Sequence, residues 1–81
     1  MTEAPPPADV TVDARGKRCP LPVIDLARAV AACTPGTVVE VVADDAAARH
    51  DVPAWCSMRG HAYLGERGGA EGAETAYVVR V

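Results

Sequence analysis

Aromatic residues are scarce in this 81-residue chain: there is no Phe, one Trp and two Tyr. A core must therefore be assembled from Val, Ala, Leu and Ile, and the length allows one such core and no more. No run of apolar residues approaches the roughly 18 needed to cross a bilayer. Met1 to Pro7 offers neither a basic stretch nor an apolar one, so the sequence reads as unexported and cytoplasmic, with no membrane insertion. Positive charge is also short. Eight Lys and Arg against eleven Asp and Glu leave a net charge of -3, which argues against direct nucleic-acid binding, a process that needs cations to displace phosphate counterions. No CxxC occurs, so the local signatures of a thioredoxin-type pair and of a zinc knuckle are both missing. Cys19, Cys33 and Cys56 are odd in number and widely spaced, unlike a secreted disulfide framework. Any chemistry would rest on single thiols, and neither a metal nor an organic cofactor is implied.

What is present is a clear alternation of elements. Residues 1–9 carry three consecutive prolines and no periodicity, and read as a flexible tail; residues 10–81 form the single domain. Val10 to Asp13 alternates apolar and polar as a short strand. Val23, Leu26, Ala27 and Val30 recur at helical spacing, and Pro35-Gly36 stops that helix near Thr34. Thr37 to Ala43 is a β-branched run suited to a central strand. Asp44-Asp45 is a good cap for a second helical stretch. Pro53 cannot donate to a preceding turn, which predicts two segments, Ala46 to His50 and Val52 to Arg59, with Asp51 capping the second. His61 to Arg67 and Thr75 to Val81 complete a hairpin around a Gly-rich loop. The order is βαβαββ, with two helices on one face of a four-stranded mixed sheet. On the opposite face, alternation points Val38, Val42 and Val78 outward beside Glu40 and Arg80, an apolar strip that could serve as an interface.

The residues with chemical interest are concentrated in Gly16-Lys17-Arg18-Cys19-Pro20-Leu21-Pro22. Two cations and a helix start flank a thiol, and each favours the thiolate. A helix dipole is worth ~0.3–1 kcal/mol and one pKa unit about 1.36 kcal/mol, so the expected thiol titrates near neutrality. Such a thiol can both accept and surrender sulfur. Pro20 and Pro22 fix where the helix begins, and Gly16 is expected to let the loop approach closely. The competing reading makes Cys19 a small apolar residue at a strand-to-helix junction, and the spacing alone leaves both open. Cys33 reads as structural. Cys56 shares an apolar face with Val52 and Trp55, which favours burial, with a resolving thiol for Cys19 as the alternative. His50 and His61 sit at segment boundaries, where exposure or capping is commoner than a role as base. Arg15, Lys17 and Arg18 together suggest a positive patch for an acidic partner.

The pattern Asp13-x-x-Gly16-x-x-Cys19-Pro20-x-Pro22 resembles the signature of the TusA family of sulfur-carrier proteins, also called SirA-like. Ala43-Asp44-Asp45, Asp51-Val52-Pro53, Cys56 and Gly60-His61 resemble its later landmarks, so the likeness runs from Val10 to Val81. It implies a two-layer α/β sandwich and a persulfide carried at the Cys19 position, and the chain reads as a stoichiometric, sulfurtransferase-type component of a sulfur relay. Sulfur would arrive from a cysteine desulfurase or a rhodanese and leave for an acceptor relay protein, with tRNA thiolation, cofactor assembly or sulfur oxidation as destinations. Arg15 and Lys17 stand where members often have leucine, and Leu21 where many have an acidic residue, which leaves the partner open. Two other classes remain beside the carrier: a non-catalytic adapter or regulatory domain with an inert Cys19, and a thiol redox protein using Cys19 and Cys56.

Overall fold

In the computed structural model, which describes residues 4–68 and 74–81, the elements follow the expected order. They are β1 (Val10–Asp13), α1 (Leu21–Ala31), β2 (Val38–Ala43), α2 (Ala48–Arg59), β3 (Ala62–Gly68) and β4 (Thr75–Arg80). The first three tail residues and the loop 69–73 lie outside the described residues. The sheet order is β1-β2-β4-β3, with β1 parallel to β2 and the other pairings antiparallel. Because α1 and α2 each follow one of the two parallel strands, both begin at the same end of the sheet. That shared end is where the Cys19 loop and the β2–α2 connection meet.

The core lies between the sheet and the helices. Val39, Val41 and Ala43 on β2 and Tyr77 and Val79 on β4 face Leu26 and Val30 of α1 and Ala48, Val52, Trp55 and Cys56 of α2. Each fully buried Val or Leu in such a layer contributes about 1.5–3 kcal/mol of hydrophobic stabilisation. With Phe missing, this aliphatic layer has to supply most of the driving force.

Two expectations are corrected. First, α2 is continuous through Pro53. Its first turn is entered by i→i−3 bonds from Ala48, Arg49 and His50 before Asp51 donates to Ala47. The Arg49 carbonyl loses its i+4 donor to proline, yet Ala48, Val52, Trp55 and Cys56 are all buried by the same helix. Packing of that face outweighs one missing backbone bond. Asp51 is therefore not the cap of a separate segment but a residue of the first turn. Second, α1 ends at Ala31 with Ala32 as its cap, about a turn before Thr34.

The tail also departs from a free chain over its described part. Arg67 donates from Nη1 to the Pro5 carbonyl (3.2 Å) and from Nη2 to the Pro6 carbonyl (3.0 Å). The same guanidinium pairs with Glu40 at 3.3 Å. Asp9 N–H donates to the Val38 carbonyl (2.7 Å), and Val38 N–H donates to Asp9 Oδ2 (3.0 Å). The segment thus follows the sheet face opposite the helices, where Val78 is 0% and Val38 9% exposed. The outward apolar strip read from alternation is largely closed by the chain itself, with only Val42 left partly exposed.

Candidate functional site

Cys19 is half-buried one residue before the Pro20 cap of α1. The position follows from local rules. Leu21 N–H donates to the Arg18 carbonyl and Ile24 N–H to the Pro20 carbonyl, while Pro22, in the first turn where its absent N–H costs nothing, is buried and anchors the helix start. Pro20 itself remains exposed.

The loop before Cys19 is held by the two aspartates that follow β2. Gly16 N–H is shared between Asp44 Oδ1 (3.0 Å) and Oδ2 (3.1 Å). Cys19 N–H donates to Asp45 Oδ2 (2.8 Å), and Asp45 Oδ1 accepts from Ala47 N–H (3.0 Å). The expected Asp44-Asp45 cap is corrected: the N-cap of α2 is Ala47, with no side-chain cap bond, and Asp45 instead orders the turn before the helix and clamps a loop 26 residues earlier. These bonds from Cys19 and Ala47 hold the Asp45 carboxyl below the usual carboxylate range. Gly16 has φ +80°, the left-handed region, yet a Cβ there would meet nothing within 4 Å. The glycine is needed for its backbone conformation and not, as the sequence suggested, for close approach.

The electrostatics differ from the expectation of an activated thiol. Lys17 Nζ lies 2.7 Å from Asp25 Oδ2. Arg15 reaches Asp13 at 2.9 Å and Glu74 at 3.2 Å, so its charge is also engaged. Hydrogen bonding from Arg15 pulls the Asp13 carboxyl down to about 2, and the Arg15 guanidinium is correspondingly raised by its bond to Asp13. Among the described residues, Arg18 makes no ion pair. The expected three-residue positive patch is thus mostly neutralised by neighbours.

Around Cys19 the net influence is anionic. Desolvation first, then the neighbouring Asp51 carboxylate and the charge of Asp45, push the thiol up to about 12. The approach of Asp51 from α2 is a feature that sequence reasoning missed. The Asp-Val-Pro run carried its residue type, but only the packing of α2 beside α1 brings its negative charge into electrostatic reach of the thiol. His50 is exposed, and His61 packs against Trp55 with ring centroids 5.1 Å apart. Neither is among the groups acting on Cys19.

Cys56 is 1% exposed within the core, and burial pushes its thiol up to about 11. Cys33, two residues beyond the end of α1, donates from Sγ to the Ala29 carbonyl of that helix (3.2 Å). All three cysteines are free. A cleft lined by Gly16, Lys17, Arg18, Asp44, Asp45 and Ala46 opens beside the Cys19 loop. Among the described residues, no three His, Cys, Asp or Glu side chains gather as a metal site, and no helix is long and apolar enough to cross a membrane.

Comparison with known proteins gives a consistent result. Residues 10–81 match the family model described as sulfurtransferase TusA. The sulfur carrier protein TusA of Pseudomonas entomophila (strain L48) is 41% identical over 59 residues, spanning 73% of this chain and 74% of that protein. The crystal structure of a SirA-like protein from Desulfitobacterium hafniense superposes with a TM-score of 0.71 at 28% identity, over 86% of this chain and 95% of that one.

Proposed function

The chain belongs to the TusA family of sulfur carriers, and from that premise we propose that Cys19 holds sulfane sulfur as a persulfide and relays it to an acceptor protein. The observation that carries the reading is the placement of Cys19: a half-buried thiol at the mouth of α1, its backbone fixed by Asp45, beside an open cleft. A sulfur atom added to Cys19 Sγ extends from a rigid frame and not from a wandering loop, which is what transfer between two proteins requires. Cys19 is both nucleophile and carrier. Gly16, Pro20 and Pro22 shape its loop and helix start, and Lys17 and Arg18 belong to the surface a partner meets.

The raised thiol fits a carrier that rests protonated and reacts when a partner supplies compensating charge or removes the proton. Sulfur arrives from a cysteine desulfurase or rhodanese and passes to a relay protein serving tRNA thiolation, cofactor assembly or sulfur oxidation. Three unpaired cysteines suit a reducing compartment, so the site of action is the cytoplasm.

Intact-mass measurement after incubation with a sulfane-sulfur donor tests the reading. One added sulfur atom, absent in Cys19→Ser, is the expected result. No change would favour an inert adapter domain, and loss of two hydrogens a redox pair of Cys19 with Cys56.

A further inference from the structure

The outer face of the sheet, turned away from the helices, has a gap in its own side-chain cover. Across it, Glu40 of β2 pairs with Val78 of β4, and Val78 pairs with Gly65 of β3. Gly65 supplies no side chain, yet Val78 is 0% exposed. Pro5 lies over the glycine: its Cγ is 3.6 Å from the point a Gly65 Cβ would occupy, ordinary van der Waals contact. Arg67, two residues along β3 on the same face, donates to the Pro5 and Pro6 carbonyls. Glu40 Oε1 accepts from the same guanidinium (3.3 Å), and Glu40 Oε2 accepts from Thr11 Oγ1 (2.8 Å).

We propose that this row is a binding site for a proline-rich segment, filled in the resting chain by its own Pro5-Pro6 and open to an equivalent segment of a partner protein that displaces them. The chemistry of the site selects proline. A guanidinium only donates, and the carboxylate beside it already has both oxygens engaged, by Arg67 and Thr11. An ordinary residue laid here would bring an N–H with no acceptor among these groups, whereas proline brings a carbonyl and no N–H. Its fixed φ also leaves little chain entropy to lose on binding. The chain's own segment is favoured over a free one by its tether. Asp9, just after Pro7-Ala8, is bonded both ways to Val38, which keeps the prolines at an effective concentration in the millimolar range. None of these residues belongs to the Cys19 loop, so a partner gripping this face holds the chain without using the thiol, and the inference stands independently of the carrier reading.

Pro5→Gly combined with Pro6→Gly in the full chain removes the ring from Gly65 and loosens the segment without touching the site itself. The Gly65 and Val78 amide resonances should then move away from their native positions. Titrating that variant with the peptide Ala-Pro-Pro-Pro-Ala should return both resonances toward those positions, with a Kd in the millimolar range, while the native chain, its site already filled, responds at least about tenfold more weakly. Adding Arg67→Ala to the variant should weaken the peptide by at least about tenfold, because two hydrogen bonds from a charged donor are lost. A peptide of five alanines should leave both resonances where they are. Circular dichroism melts verify the fold, and should the double variant fail to fold, Pro5→Gly alone makes the same comparison. Unmoved Gly65 and Val78 resonances in the variant, no response to the proline peptide, or an equal response to the alanine peptide would each overturn the site.

Discussion

The backbone N–H of Cys19 donates to Oδ2 of Asp45 at 2.8 Å, joining the loop before α1 to the loop before α2. The same carboxylate accepts from Ala47, so one side chain orders both helix starts. Asp45→Ala should leave the secondary structure in place but free the Cys19 amide, seen as faster hydrogen exchange and a large shift of its NMR resonance. In the native chain, Asp45 is depressed by those bonds, so their contribution is present above the ordinary carboxylate range and lost as pH falls through the lowered value. The Cys19 and Ala47 amide resonances should therefore titrate together, below pH 3.8. Independent titration of the two would contradict a shared clamp.

The raised thiol makes a prediction about reactivity. Alkylation of Cys19 should climb steadily as pH rises from 7 through 10, with no plateau, because the thiol titrates near 12. The neutral form is favoured in the folded state, so folding stability linked to this group is present below the ordinary thiol value and lost as pH rises toward 12. A plateau near neutrality would restore the picture of a thiolate activated by Lys17 and Arg18.

Cys56 is 1% exposed beside Val52 and Trp55 in the core. Cys56→Ala should destabilise the chain by about 1 kcal/mol through the small void it leaves, without preventing sulfur loading of Cys19. Urea unfolding and intact mass on the same variant check both halves. Full stability combined with lost transfer would mark Cys56 as a chemical participant.

Gly16 sits at φ +80° with open space where a side chain would go. Gly16→Ala should cost about 1 kcal/mol from the left-handed backbone alone. Denaturant unfolding tests it, and a cost of several kcal/mol would point to a steric contact that the structure does not contain.

Arg67 holds the Pro5 and Pro6 carbonyls over the outer face of the sheet. Arg67→Ala should loosen the segment and expose the Val38 amide, whose acceptor is Asp9. Faster hydrogen exchange at Val38, with the β2–β4 amides unchanged, is the expected pattern. Unaltered protection would show that the strand-side bonds of Asp9 suffice.

The sequence by itself determined the element order, because periodicity, β-branched runs and glycine or proline stops are local signals read within a few residues. It also determined the family likeness, carried by Cys19-Pro20-x-Pro22 and the spaced landmarks after it, and it put Cys19 just ahead of a helix. Tertiary structure decided the rest. Whether Pro53 breaks a helix depends on the burial of Val52, Trp55 and Cys56 against the sheet. The charge felt by Cys19 depends on partners that packing selects: Asp25, on the helix that follows, takes Lys17 away, while Asp45 and Asp51 arrive from the other helix start. The proline segment found its place only because Arg67, some 60 residues later, offers donors to its carbonyls. Local pattern specifies which element a residue joins, whereas the field at a thiol sums over whatever packing brings within a few ångströms, and that sum is not written in neighbouring residues.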